Sequence, residues 1–155
     1  MSALGGIKTA HTGITVSNLD RSIAFYRDVM GFPVSEKLRL RGKLFELVTG
    51  VAGAEIDIAN VDAPGHQIEL LQYAGPTPRV ASNLRPCDPG FLHLAFKVQN
   101  LENVLVALRA AGYEAAAPLH SIDECLQAGA QGLRGVYTRD PDGVVIEVFE
   151  DAALS

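Results

Sequence analysis

The sequence predicts an α+β fold of two βαβββ modules, related by pseudo-twofold symmetry, with an open curved sheet and the helices on its outer side. Three observations carry this expectation. First, "HTGITVSNLDRSIAFYRDVMGF", from His11, and "HLAFKVQNLENVLVALRAAGY", from His93, run in parallel. Both begin with His, reach Val, pass Asn-Leu and an acid, and end at Gly followed by an aromatic. Second, "DAPGHQIELLQY", from Asp62, and "DPDGVVIEVFED", from Asp140, both open with Asp-x-x-Gly and enter an apolar strand carrying Ile-Glu. Third, each half alternates as a strand before its Asn and takes helical spacing after it. Repetition inside one chain marks a duplicated structural unit.

The elements follow in order. Residues 11–17 place Ile14 and Val16 on one strand face and His11, Gly13 and Thr15 on the other. Asn18 is suited to N-cap a helix, because its side-chain oxygen accepts from a free first-turn N–H. Leu19, Ile23, Tyr26 and Met30 form the apolar stripe, and Gly31 stops it. Two strands, 33–40 and 54–61, precede the strand of Glu69, and "KLFELVTG" (43–50) reads as a short helix. In the second half, Leu92, Leu94, Phe96 and Val98 share one strand face, with His93 opposite. Asn100 caps, Leu101, Val104, Leu105 and Leu108 form the stripe, and Gly112 ends it. Strands are expected at 114–119 and 133–139, before that of Glu147. The whole chain, 1–155, reads as a single domain: module 1 over 8–73, a proline-rich linker over 74–90, and module 2 over 91–151. The glycine-bearing segment 120–135 is either a cover for a site or an ordinary connection.

Composition narrows the function. With 48% hydrophobic and 20% charged residues in 155, the chain has the make-up of a soluble globular domain with a sizeable core. A formal charge of −5 argues against nucleic acid or an anionic membrane as partner. No apolar run approaches the ~20 residues of a membrane helix. "MSALGGIKTAH" lacks the apolar stretch of a secretory signal, and Cys87 and Cys125 form no metal or redox spacing motif. The expectation is a cytoplasmic protein with reduced thiols, acting on a small molecule.

Strand parity then singles out four residues. Ile68 and Leu70 oppose Glu69; Val144, Ile146 and Val148 oppose Glu147. The apolar faces need the helices as cover, so His11, Glu69, His93 and Glu147 all lie on the faces turned away from them. About a pseudo-twofold axis, two imidazoles and two carboxylates would converge. Neighbouring carboxylates repel, and burying them is costly unless a cation is present. A divalent ion balances both, and the mixed N/O set suits Zn, Ni, Co, Mn or Fe. Four protein ligands on an octahedral ion leave two positions for water or substrate. Taken singly, Glu69 has Arg79 or Arg85 as alternative partners, and Glu147 has Arg139 or Lys97. His66 and His120 lack the symmetry and read as loop residues.

These four positions, with Asn-Leu-Asp after the first strand and "YTRDPDGVVIEVFE" near the end, resemble the vicinal oxygen chelate superfamily over residues 8 to 151. That superfamily includes glyoxalase I, methylmalonyl-CoA epimerase, extradiol dioxygenases, and fosfomycin- and bleomycin-resistance proteins. The resemblance implies two βαβββ modules, an open half-barrel sheet around a metal, and often a homodimer, in some members with the metal site completed across subunits. Extradiol members use two His and one Glu, whereas Glu69 matches the fourth-ligand position of glyoxalase I. Methylmalonyl-CoA epimerase resembles the same pattern but often carries Gln there. This chain departs from bacterial glyoxalase I in longer segments at 41–62 and 74–90. Arg39, Arg41, Arg79 and Arg85 are the cations available to grip glutathione's carboxylates.

The implied activity is metal-dependent lyase or isomerase chemistry. A proton moves next to a carbonyl of a substrate chelated through adjacent oxygens, with Glu147, or by symmetry Glu69, as base. Leu71, Tyr73 and Phe149 share the glutamate faces, as pocket walls or as packing. The alternatives are an Fe(II) extradiol dioxygenase, with Glu69 off the metal, and a non-catalytic protein that binds a drug or metabolite without metal.

Overall fold

The computed structural model describes residues 5–77, 79–80, 84–119, 134–151 and 154. The chain divides into two compact units, Met1–Arg79 and Val80–Ser155. The first runs β1 (Thr12–Thr15), α1 (Leu19–Ala24) with a π-helical continuation over Phe25–Val29, β2 (Leu38–Leu40), α2 (Lys43–Thr49), β3 (Glu55–Ala63) and β4 (His66–Gly75). The second runs β5 (His93–Val98), α3 (Leu101–Ala110), β6 (Gly135–Arg139) and β7 (Val145–Glu150). Sheet order is β1-β4-β3-β2 in the first unit and β5-β7-β6 in the second. Both sheets are open, and helix and strand mix as an α+β fold.

The two units share their wiring. Each opening strand pairs in parallel with the closing strand, β1 with β4 and β5 with β7, and the closing strand pairs antiparallel with the one before it. Parallel neighbours require a crossover, and each crossover includes a helix. Asn18 Oδ1 accepts from the Arg21 N–H at 3.0 Å, and Asn100 Oδ1 from the Asn103 N–H at 2.8 Å. A further free first-turn N–H is met from the sheet: Leu19 donates to Gln72 Oε1 at 2.5 Å, Leu101 to Glu150 Oε1 at 3.3 Å. Gln72 and Glu150 each stand three residues after the singled-out glutamate, so the repeat extends to the docking of its helices.

In the first unit, Leu19, Ile23, Phe25 and Tyr26 are buried, as are Ile14, Val16, Ala59, Val61, Ile68 and Leu70 of the sheet. Phe25 and Tyr26 meet edge to face at 5.1 Å and 86°. Adjacent rings both reach the interior because the π-helical stretch is wider than an α-turn. In the second unit, Leu101, Leu105 and Leu108 are buried with Val136, Ile146 and Val148.

Four details depart from expectation. The 33–40 strand contracts to β2 and an isolated bridge from Val34 to Val61. Pro33 has no N–H to give a ladder, and the Ser35 hydroxyl accepts from the Asn60 N–H at 3.0 Å. Segment 114–119 is not a strand, although it runs beside β6: Ala116 N–H donates to Tyr137 O at 2.6 Å, and Thr138 Oγ1 to Glu114 O at 2.9 Å. Pro118, which has no N–H, cannot extend that ladder. His66 is not in a loop but begins β4, with Nε2 2.8 Å from Thr12 Oγ1. The first strand is shorter than 11–17. The short helix at 43–50 forms as α2, whereas His120, Cys125 and most of 120–135 lie outside the described residues.

The Asp-x-x-Gly turns differ. In the first unit, Asp62 belongs to β3 and the turn is Pro64-Gly65, with Gly65 at φ +72°. In the second, Asp140 is buried, and its Oδ1 accepts from the N–H groups of Asp142 at 2.9 Å and Val144 at 2.8 Å. The "RDPDG" run therefore shapes the β6–β7 turn. Among the described residues, no helix is long and apolar enough to cross a membrane.

Candidate metal centre

Sheet register positions the four singled-out residues. Parallel pairing sets Gly13 opposite Glu69 and Ala95 opposite Glu147. His11 and His93 each stand two residues before that small partner. Residues two apart on a strand share a face, so each His projects beside its Glu. His11 Nε2 lies 3.6 Å from Glu69 Oε2, and His93 Nε2 lies 3.0 Å from Glu147 Oε2. The His and Glu side chains are 41% and 21% exposed in the first unit and 35% and 30% in the second, so both pairs are reachable from outside. Gly13 lies close to the wall: a Cβ there would meet Leu71 Cδ1 at 3.3 Å.

Every alternative cation for the glutamates has another partner. Arg79 donates to the Tyr73 carbonyl, Arg85 pairs with Asp88 at 2.7 Å, Arg139 donates to Gly143 O at 2.6 Å, and Lys97 pairs with Asp151 at 2.9 Å. The arginines considered for glutathione are also engaged. Arg39 forks onto Asp57, and Arg41 Nε lies 3.8 Å from Glu55. Pairing of Arg39 with Asp57, and of Asp57 with Gln72, puts Arg39 on the α1 side of the sheet, away from Glu69. The Arg39 guanidinium holds the Asp57 carboxyl below the usual carboxylate range.

The donor chemistry fits a divalent ion. Two donors each about 2.1 Å from one ion stand about 3.0 Å apart at right angles and about 3.4 Å apart in a tetrahedron. The observed 3.0 and 3.6 Å separations lie near those values. The structure pairs His11 with Glu69 in the first unit and His93 with Glu147 in the second. Among the described residues, no group of three or more His, Cys, Asp or Glu side chains that could hold a metal ion is found.

Sequence reasoning missed what surrounds the pairs. Tyr137 of β6 lies directly opposite Glu147, and its ring is 5.4 Å from that of His93. The Phe91 ring lies 6.1 Å from the same imidazole. In the first unit the place opposite Glu69 belongs to Asn60. Treating "RDPDG" as the turn of a hairpin would have set Tyr137 across from Glu147. Leu71 and Tyr73 pack against Ile56 and Ile58, while Phe149 lies beneath Lys97, whose Nζ is 5.8 Å from the ring centroid.

An α+β chain whose two open sheets each present a His–Glu pair has the layout of a vicinal-oxygen-chelate protein. Residues 8–148 match the model of the Glyoxalase/Bleomycin resistance protein/Dioxygenase superfamily, and the chain belongs to that superfamily. It is 30% identical to the YwbC protein of Bacillus subtilis over 90% of this chain and 94% of that one. It is 25% identical to human mitochondrial methylmalonyl-CoA epimerase over 89% of this chain and 70% of that one. Among solved structures, a glyoxalase family protein from Bacillus cereus matches with a TM-score of 0.80 and 22% identity, covering 97% of each chain. The trypanothione-dependent glyoxalase I of Leishmania major matches at 0.61 and 23%, over 94% of this chain and 87% of that one. At these identities the structural likenesses speak for the fold.

Proposed function

We propose that the protein is a divalent-metal-dependent lyase or isomerase that moves a proton next to a carbonyl. The observation that carries this reading is the matched register: each unit sets a His beside a Glu on an accessible sheet face, and among the described residues no Lys or Arg pairs with either glutamate. His11, Glu69, His93 and Glu147 would hold the ion, within one chain or across two copies in a homodimer. Bound there, a divalent ion supplies Lewis-acid stabilisation of negative charge developing on adjacent substrate oxygens.

The chain's own groups do the rest. The Glu147 carboxylate takes the proton from the carbon beside the carbonyl and returns it to the neighbouring carbon or to the opposite face. Glu69, its counterpart, stays a ligand. Gly13 and Ala95 leave space beside the glutamates for a small-molecule substrate. Leu71 and Tyr73 in the first unit, and Phe149 in the second, would serve as apolar walls. The similarity to methylmalonyl-CoA epimerase supports a malonyl-type thioester as substrate, and the engagement of Arg39, Arg41, Arg79 and Arg85 weighs against a glutathione adduct. The setting proposed for this chemistry is the cytoplasm.

The test is to strip the protein with chelator, reload it with Ni, Co, Mn, Zn or Fe, and follow exchange of the substrate α-proton for deuterium. Methylmalonyl-CoA and the methylglyoxal–glutathione hemithioacetal are the two substrates to compare. Metal-dependent exchange with the thioester is expected. Failure to retain any of these metals, with no exchange on either substrate, would overturn the reading. Oxygen uptake with catechols by the Fe form alone would instead select the dioxygenase branch.

A further inference from the structure

The two His–Glu pairs match in register but not in surroundings. His93 lies within ring contact of two aromatics: Phe91 at 6.1 Å and Tyr137 at 5.4 Å, each tilted 35° to the imidazole. Phe91 lies in the turn just before β5, where its N–H donates to Asp88 O at 3.1 Å. Tyr137 reaches it from β6, on the far side of β7, because it sits opposite Glu147. At the corresponding places the first unit has Thr9 and Asn60, neither of them a ring. The pair flanked by rings is also the closer one, 3.0 Å against 3.6 Å.

We infer that Phe91 and Tyr137 are positioning residues that brace the His93 imidazole beside Glu147, pre-orienting that pair for a metal ion. This deepens the reading above and rests on it. The physical argument is entropic. An imidazole free to change rotamer must be fixed when it takes a ligand, whereas one already in contact with two rings has less freedom to lose. The tilted contacts are of the kind that stabilise aromatic pairs, and outer contacts of this sort tune metal affinity. The ring of Tyr137 does this work, not its hydroxyl, so Tyr137→Phe retains the effect and Tyr137→Leu removes it.

Two measurements on the full chain test the inference. In metal-free protein, the His93 ring-proton resonances should be displaced by ring currents, and that displacement should shrink in Y137L and F91L but persist in Y137F. In the second, Co(II) is titrated against a chromophoric chelator. Y137L and F91L should each bind cobalt roughly two- to tenfold more weakly than the wild type, with Y137F close to the wild type. Adding Y137L to an H93A background should change affinity no further, which separates action through His93 from a general loosening of the fold. Unchanged cobalt affinity in Y137L, an equal loss in the H93A background, or weakening in Y137F equal to that in Y137L would overturn the inference. A wild type that binds no cobalt would sink the metal reading itself. A wild type that binds cobalt while Y137L is unaffected would sink only the bracing.

Discussion

The first unit sets Leu71, Tyr73 and Asn60 on the face of its His–Glu pair; the second sets two rings, Phe91 and Tyr137, against the imidazole of its pair. On the Glu69 face, Leu71 and Tyr73 pack on Ile56 and Ile58, and Asn60 stands opposite the glutamate. On the Glu147 face, Tyr137, Phe149 and Lys97 take the corresponding ground. The helix N-termini tell the same story. Gln72, a neutral amide, meets Leu19, whereas Glu150 meets Leu101 and also accepts from Arg134 at 3.0 Å, while Arg134 reaches Glu102 at 2.6 Å. Duplication preserved the register of the donors and let the neighbours diverge. Unequal surroundings are what the proposed division of roles would require, with Glu69 kept as a ligand and Glu147 as the base.

The comparison breaks most readily at the glutamates. E147Q should lower proton exchange by about 10²- to 10⁴-fold, the range of a lost general base, whereas E69Q should lower it less and mainly through metal affinity. Deuterium exchange alongside metal titration separates the two. Equal kinetic losses at both positions would make the halves interchangeable.

Core truncation is the next largest effect, and here the units should agree. Leu70→Ala and Ile146→Ala each remove a fully buried strand residue and should cost about 2–5 kcal/mol in denaturant unfolding. Glycine substitutions should part them again. A Cβ at Gly135 would lie 3.0 Å from Phe149 Cβ and 3.3 Å from Val148 O, whereas one at Gly13 meets only the Leu71 methyl, at 3.3 Å. G135A should therefore cost about 1–3 kcal/mol and G13A less, since a side-chain end yields more easily than a backbone oxygen.

The smallest effect is a pH dependence. Arg134 holds the Glu102 carboxyl below its usual range through a direct hydrogen bond. A carboxyl lowered on folding contributes stability above its unfolded pKa and loses it as pH falls through the folded one. Below about pH 4.5, the unperturbed value for this group, the wild type should lose stability that E102Q never had. The two stability curves should converge in acid; a constant gap down to pH 2 would contradict the assignment.

Much of this architecture was legible before any coordinates. Asn18 and Asn100 cap as their chemistry suggests, Gly31 and Gly112 adopt positive φ at the helix ends, and Ile68, Leu70, Ile146 and Val148 are buried opposite the glutamates. These features are local or periodic, so residue order encodes them directly. Features set by cross-strand register were not legible in the same way. Tyr137 meets His93 only because the β6–β7 hairpin turns at Asp140–Gly143; strand periodicity alone does not report that pairing, although the Asp-x-x-Gly turn signal points to it. Nor does composition reveal which acid or carbonyl each arginine chooses: Arg79 takes a backbone carbonyl and Arg85 the nearby Asp88. The 114–119 segment failed as a strand because, among the described residues, it runs beside β6 through only two hydrogen bonds, and Pro118 has no N–H to extend them.

The central proposal is that His11, Glu69, His93 and Glu147 ligate a divalent cation. X-ray absorption at the metal edge of the Co- or Ni-loaded protein tests it most directly, read beside the H11A and H93A variants. Two imidazoles in the wild-type sphere, falling to one in each variant, is the predicted result. Imidazole scattering that survives unchanged in either variant, or a sphere built from other side chains, would contradict the account.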